Sequence, residues 1–96
     1  MHITIPHKMS QAAAVARVTR ALNENRAQIA QHATITKEEW EGNTLSFVVS
    51  IQGKEISGTL DVTEADYVLD AKLPLLWRMF EGRIESQIAA EIKKMS

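Results

Sequence analysis

The sequence contains no cysteine, so neither a disulfide framework nor a thiolate metal site can be built from it. That absence fits a reducing compartment. Histidine is scarce: His2, His7 and His32 are the only imidazoles, and they lack the dense ligand spacing of a metal centre. They read as structural or solvent-facing residues, His7 as a hydrogen-bonding partner of a loop or of the first helix start. Only four glycines occur, and Gly42, Gly53 and Gly58 fall in turns and a strand without forming a phosphate loop. Ser46, Ser50, Ser57 and Ser86 sit in no nucleophile elbow, and no Ser–His–Asp set follows from spacing. Asp61, Glu64, Asp66 and Asp70 read as wet-face and turn carboxylates with no partnered base or nucleophile. No stretch approaches the roughly 18 apolar residues that span a bilayer. The opening Met1-His2-Ile3-Thr4-Ile5-Pro6-His7 has no basic leader before an apolar run. The expectation is a soluble cytoplasmic protein that is not an enzyme and carries no cofactor or metal.

What the sequence does contain is sorted along its length. The 96 residues are enough for a single domain spanning 1–96 with a modest core. The net charge of −1 conceals a division. Five basic residues and one acid lie in 1–37, eight acids and Lys54 alone in 38–70, and five basic residues with three acids in 71–96. An acidic middle opposes nucleic-acid binding, which favours a strongly basic face.

Ile3 and Ile5 alternate with His2 and Thr4, a short strand that Pro6 confines to an edge. Ser10 then offers an N-cap to a helix in which Val15, Val18, Leu22 and Ile29 share a stripe, ending near Gln31-His32. From Thr34 the period becomes two. Leu45, Phe47 and Val49 alternate with polar residues, with Val48 out of phase; Ile56, Leu60 and Val62 do the same around Gly58, as do Tyr67, Leu69, Ala71 and Leu73. Glu41-Gly42-Asn43, Gln52-Gly53-Lys54 and Thr63-Glu64-Ala65-Asp66 are hairpin-length separators. The stretch from Ile35 to Trp40 has the poorest alternation of the strands. Trp40 itself suits the edge of a core, with an exposed binding position as the alternative.

Pro74 opens the last element, on which Phe80, Ile84, Ile88, Ile92 and Met95 recur at helical spacing and Lys93 and Lys94 suit the C-terminal dipole. Gly82 marks a kink, a close crossing over the sheet, or a break between a short apolar turn and a long helix. The densest feature of the chain lies just before it. Leu73-Pro74-Leu75-Leu76-Trp77-Arg78-Met79-Phe80 gathers more large apolar surface than a domain of this size can hide in one place. Phe80 matches the Ile84 stripe and reads as core, with Trp77 able to join it. Leu75, Leu76, Trp77 and Met79 cannot all face inward, and at least two of them are expected to meet another molecule.

Several segments together resemble a family of small bacterial proteins of the polyhydroxyalkanoate storage-polyester system. They are Ile3-Thr4-Ile5-Pro6-His7, the Ala/Arg-rich helix, Trp40-Glu41-Gly42-Asn43-Thr44-Leu45-Ser46-Phe47, Ile56-Ser57-Gly58-Thr59-Leu60-Asp61-Val62, Leu73-Pro74, and Gly82-Arg83-Ile84-Glu85-Ser86-Gln87-Ile88. The resemblance implies a non-enzymatic protein acting at intracellular polyester granules. The Leu75–Phe80 stretch is not a feature every member is expected to share.

The predicted fold is α+β, a β-α-β-β-β-β-α chain with one antiparallel sheet and both helices on its apolar face, similar to a reduced helix-grip domain. Leu45, Phe47, Leu60, Leu69, Ile84 and Ile88 are predicted to be largely buried. Three functions compete. The first is non-catalytic association with granules or granule proteins through the apolar segment. The second is carriage of a small acyl-type ligand between sheet and helix, with room left by Ala12, Ala13, Ala14, Ala16 and Gly58. The third is a homodimer whose interface consumes the same apolar residues.

Overall fold

The change of hydrophobic period at Thr34 divides helix from sheet in the computed structural model, which describes residues 1–95. In chain order the elements are β1 (His2–Pro6), α1 (Gln11–Ala30), β2 (Thr34–Glu41), β3 (Thr44–Ile51), β4 (Lys54–Val62), β5 (Asp66–Lys72), a 3-10 turn (Leu75–Phe80) and α2 (Glu81–Met95). The five strands form one antiparallel sheet in the order β1-β5-β4-β3-β2, and the fold is α+β. Strands β2 to β5 are a meander, and β1 closes the sheet by pairing with the last strand.

Turn chemistry sets the register. The β3–β4 hairpin turns on Gln52 (φ 50°) and Gly53 (φ 77°), both left-handed, as a two-residue primed turn requires. The resulting pairing lays side chains in rows across the sheet. One row on the covered face runs Ile3, Leu69, Leu60, Leu45, Trp40 through all five strands. The next runs Ala71, Gly58, Phe47, Glu38. The opposite face carries Ser46, Ser57, Thr59, Asp61 and Asp70, with Val48 half-buried between Lys37 and Ser57. A register shift between Ile35 and Lys37 explains the poor alternation read in that stretch: one extra residue throws the period out of phase.

Both helices lie on the face of the first row. Ala14 and Val18 of α1 pack with Leu45, Val62 and Tyr67, while Ile88, Ala89 and Ile92 of α2 pack over Ile3, Ile5 and Leu69. The hydroxyl of Ser10 accepts the Ala13 N–H at 3.1 Å, satisfying one of the four donors that a helix start leaves open. Ser10→Ala is expected to cost about 1 kcal/mol, read as a lowered denaturation midpoint with an unchanged slope. An unchanged midpoint would show that the cap contributes nothing.

The cover is thinner than the sequence suggested. Leu45 and Leu69 are buried, but Phe47, Leu60, Ile84 and Ile88 are only half-buried. Trp40 is half-buried and packs at the edge of the α1 cluster. The Met95 side chain, expected on the α2 stripe, lies outside the described residues.

Candidate functional site

Leu73 is buried and ties the end of β5 to the core, and the chain then leaves the sheet through Pro74. The Trp77 N–H donates to the Pro74 carbonyl at 2.9 Å, opening a 3-10 turn in place of the first turn of an α-helix. A 3-10 turn repeats every three residues, so residues i and i+3 eclipse. That produces three rows: Leu75 with Arg78, Leu76 with Met79, and Trp77 with Phe80. Of these six residues only Trp77 is half-buried; Leu75, Leu76 and Met79 are 77%, 69% and 80% exposed, and Phe80 is 56% exposed although it shares the row of Trp77.

Phe80 is therefore not a core residue, contrary to the sequence reading. The helix changes type between Phe80 and Glu81, so Phe80 is out of phase with the stripe of Ile84, Ile88 and Ile92. Of the alternatives for Gly82, the structure has the break between a short apolar turn and the long helix. Glu81 begins α2, and its carboxylate meets the Met1 amino group at 3.0 Å.

A second feature lies under the helices. Between α1, α2 and the sheet is an apolar groove of about 260 Å³. Its floor is Leu45, Phe47, Val49, Leu60 and Leu69, and its walls are Val18, Leu22 and Ile29 of α1, Ile92 of α2 and Ile35 of β2. Beyond Leu22 and Ile92 it widens towards Asn25, Gln28, His32 and Glu91. The room lies between sheet and helix as expected, but none of Ala12, Ala13, Ala14, Ala16 and Gly58 lines it. The space over Gly58 is taken by the Phe47 ring, whose tip would lie 2.9 Å from a Cβ added there.

One polar group shares the groove. Glu38 stands on the covered face opposite Phe47, and Arg26 of α1 grips both its oxygens at 2.9 and 2.8 Å. The hydrogen bonds from Arg26 hold the Glu38 carboxyl below the usual carboxylate range. Arg26 also donates to Asn23 at 3.0 Å, so the guanidinium is fixed from two sides. This clamp holds the second half of α1 over the sheet edge. The sequence reading missed it, although the acidic residue at an inward position of β2 was its visible trace.

The histidines have separate fates. His7 is buried, donates from Nε2 to the Thr63 carbonyl at 2.9 Å and accepts the Met9 N–H at Nδ1, so it joins the β4–β5 loop to the approach of α1. Its ring tilts against Tyr67 at 5.0 Å. His2 pairs with Asp70 across β1 and β5, and Thr4 Oγ1 lies 3.4 Å from the other ring nitrogen. Hydroxyl, imidazole and carboxylate thus fall in line, which spacing along the chain could not reveal. The pair is more than half exposed, at 63% and 56%, and open to water. The Thr4 contact is also longer than the reach of efficient proton transfer, about 2.6–3.2 Å. Asp61 accepts a hydrogen bond from Thr44 on the same open face. No helix among the described residues is long and apolar enough to cross a membrane.

No curated protein and no solved structure matches the chain. A family model described as "Putative polyhydroxyalkanoic acid system protein" matches residues 1–95, nearly the whole length. The chain thus belongs to the polyhydroxyalkanoic acid system protein family.

Proposed function

We propose that this chain is a non-catalytic, cytoplasmic accessory protein that associates with the surface of polyester granules through Leu75, Leu76, Trp77 and Met79. The observation that carries the reading is the protruding 3-10 turn, where Leu75, Leu76 and Met79 are each at least 69% exposed in a chain of this family. Large apolar side chains held so far from the core lose nothing by entering an apolar phase and gain its full burial. An exposed turn of this kind suits a broad surface, with the exposed Arg78 among its apolar residues. A granule protein and a second copy of the chain are the competing occupants of the same patch. Neither nucleic acid nor a cofactor has a part in this reading.

The test is co-sedimentation with purified polyester particles, alongside light scattering of the protein alone. Burying one large apolar side chain contributes roughly 1.5–3 kcal/mol, so Leu76→Asp with Met79→Asp should weaken association by tens-fold or more. Circular dichroism should be unchanged, since both residues project into solvent. If the variant folds and still binds particles, the contact lies elsewhere. A parent protein that is a stable dimer and ignores particles would assign the turn to self-association. In the same preparations ester hydrolysis should be absent; turnover abolished by His2→Ala would overturn the non-catalytic reading.

A further inference from the structure

The groove between α1, α2 and the sheet is separate from the 3-10 turn: none of Leu75, Leu76, Trp77 and Met79 lines it. We infer that it is a binding site for a single hydroxyalkanoic acid of medium chain length, alkyl tail on the sheet floor and polar end at the mouth.

Three observations select this occupant. The interior presents only apolar side-chain surface apart from the Glu38 carboxylate, which Arg26 already occupies through both oxygens. A ligand therefore receives no free hydrogen-bonding partner inside, and only an alkyl chain enters without losing hydration it cannot recover. Size is the second constraint. At roughly 30 Å³ for each water-sized group, the 260 Å³ over the sheet floor holds on the order of eight or nine heavy atoms, an alkyl tail, and the wider space of about 600 Å³ at the mouth is left for the polar end. Third, the groove is amphipathic along its length. Leu45 and Leu69 on its floor are buried and line only the narrow part, whereas Gln28 and His32 stand exposed where it widens. A carboxyl or hydroxyl group there keeps its water and meets the amides of Asn25 and Gln28 and the His32 imidazole, while the Glu91 carboxylate at the same mouth is paired with Lys94 at 3.6 Å. A hydroxyalkanoic acid has both parts, and it is the chemical unit in the name of the family.

The half-burial of Phe47 and Leu60 supports the same conclusion. Side chains on the covered face of a sheet are normally packed to near-crystalline density, and an unfilled strip above them forfeits dispersion contacts that a ligand restores.

The experiment is a titration of the full chain with 3-hydroxyoctanoate, followed by methyl NMR at Val18, Leu22, Leu45, Val49 and Leu60. Saturable shifts confined to these groove methyls are expected, with 3-hydroxybutyrate at least tenfold weaker because its short tail leaves the floor uncovered. Leu22→Trp fills the groove from the α1 wall. It should weaken binding at least tenfold while leaving the melting temperature equal to or above that of the parent. Should that variant fail to fold, Val49→Phe occludes the same space from the sheet. Leu76→Asp with Met79→Asp should bind 3-hydroxyoctanoate as the parent does, so loss of granule association and loss of this site are distinguishable. Shifts confined to Leu75 and Leu76, no saturable shifts, equal affinity for the two acids, or binding indifferent to a folded occluding variant would each overturn the assignment.

Discussion

Gly58→Ala is expected to destabilise the protein by about 3 kcal/mol or more, well beyond the usual effect of adding one methyl group. General propensity argues the other way: alanine in place of a strand glycine restricts the unfolded chain and gains roughly 0.5–1 kcal/mol. Here sterics win. A Cβ at position 58 would overlap the Asp70 carbonyl oxygen of β5 and sit 2.9 Å from the Phe47 ring and 3.0 Å from the Ala71 Cα. The phenylalanine can swing aside, but the backbone of β5 cannot move without opening the β4–β5 ladder. Adding Phe47→Ala should therefore fail to rescue the variant. Gly82→Ala is the control, since nothing lies within 4 Å of a Cβ there. Inside a helix it should stabilise by up to about 1 kcal/mol. Urea denaturation of the three proteins decides the matter, and a Gly58→Ala chain as stable as the parent would refute the close approach.

Tyr67→Ala should be at least as damaging, at about 3–5 kcal/mol, a large share of the 5–15 kcal/mol that typically separates folded from unfolded states. Tyr67 is 1% exposed and packs with Ala14, Val18, Leu45 and Val62, so it is the largest side chain that the core encloses completely. Its ring also faces His7, which in turn holds the Thr63 carbonyl and the Met9 N–H. Removing the ring leaves a cavity against α1 and frees the segment that leads into it. Tyr67→Leu, which refills most of the volume, should recover more than half of the loss. A Tyr67→Ala chain with an unaltered melting temperature would mean that α1 does not depend on this contact.

The elements were legible because each carries a local signal. Ser10 announces α1, the period of two announces the meander, and Gln52-Gly53 sets a hairpin by backbone preference alone. The Ile3-Thr4-Ile5 alternation announced a strand but not its neighbour, since pairing with β5 is decided by the other end of the chain. The 3-10 turn was hidden for a related reason. Leu75 to Phe80 has no internal mark separating three residues per turn from 3.6, so the spacing predicts an α-helical phase that would put Phe80 in the core. The exposed Leu75, Leu76 and Met79 were legible all the same, because no helical phase turns so many consecutive apolar residues inward. The groove and its Arg26–Glu38 clamp were not. They depend on how far the second half of α1 stands from the sheet, a distance that the periodicity of one helix does not encode.

The place of β1 at the sheet edge beside β5 also governs the order of events during folding. His2 and Asp70 meet although 68 residues separate them, whereas β2 to β5 pair through turns of a few residues. Closing the longer loop carries an entropic cost that grows with the logarithm of its length, so the meander has the shorter route to order. On a ribosome the asymmetry is absolute. β1 has no partner until β5 has emerged, and Ile3 and Ile5 wait unpaired until then.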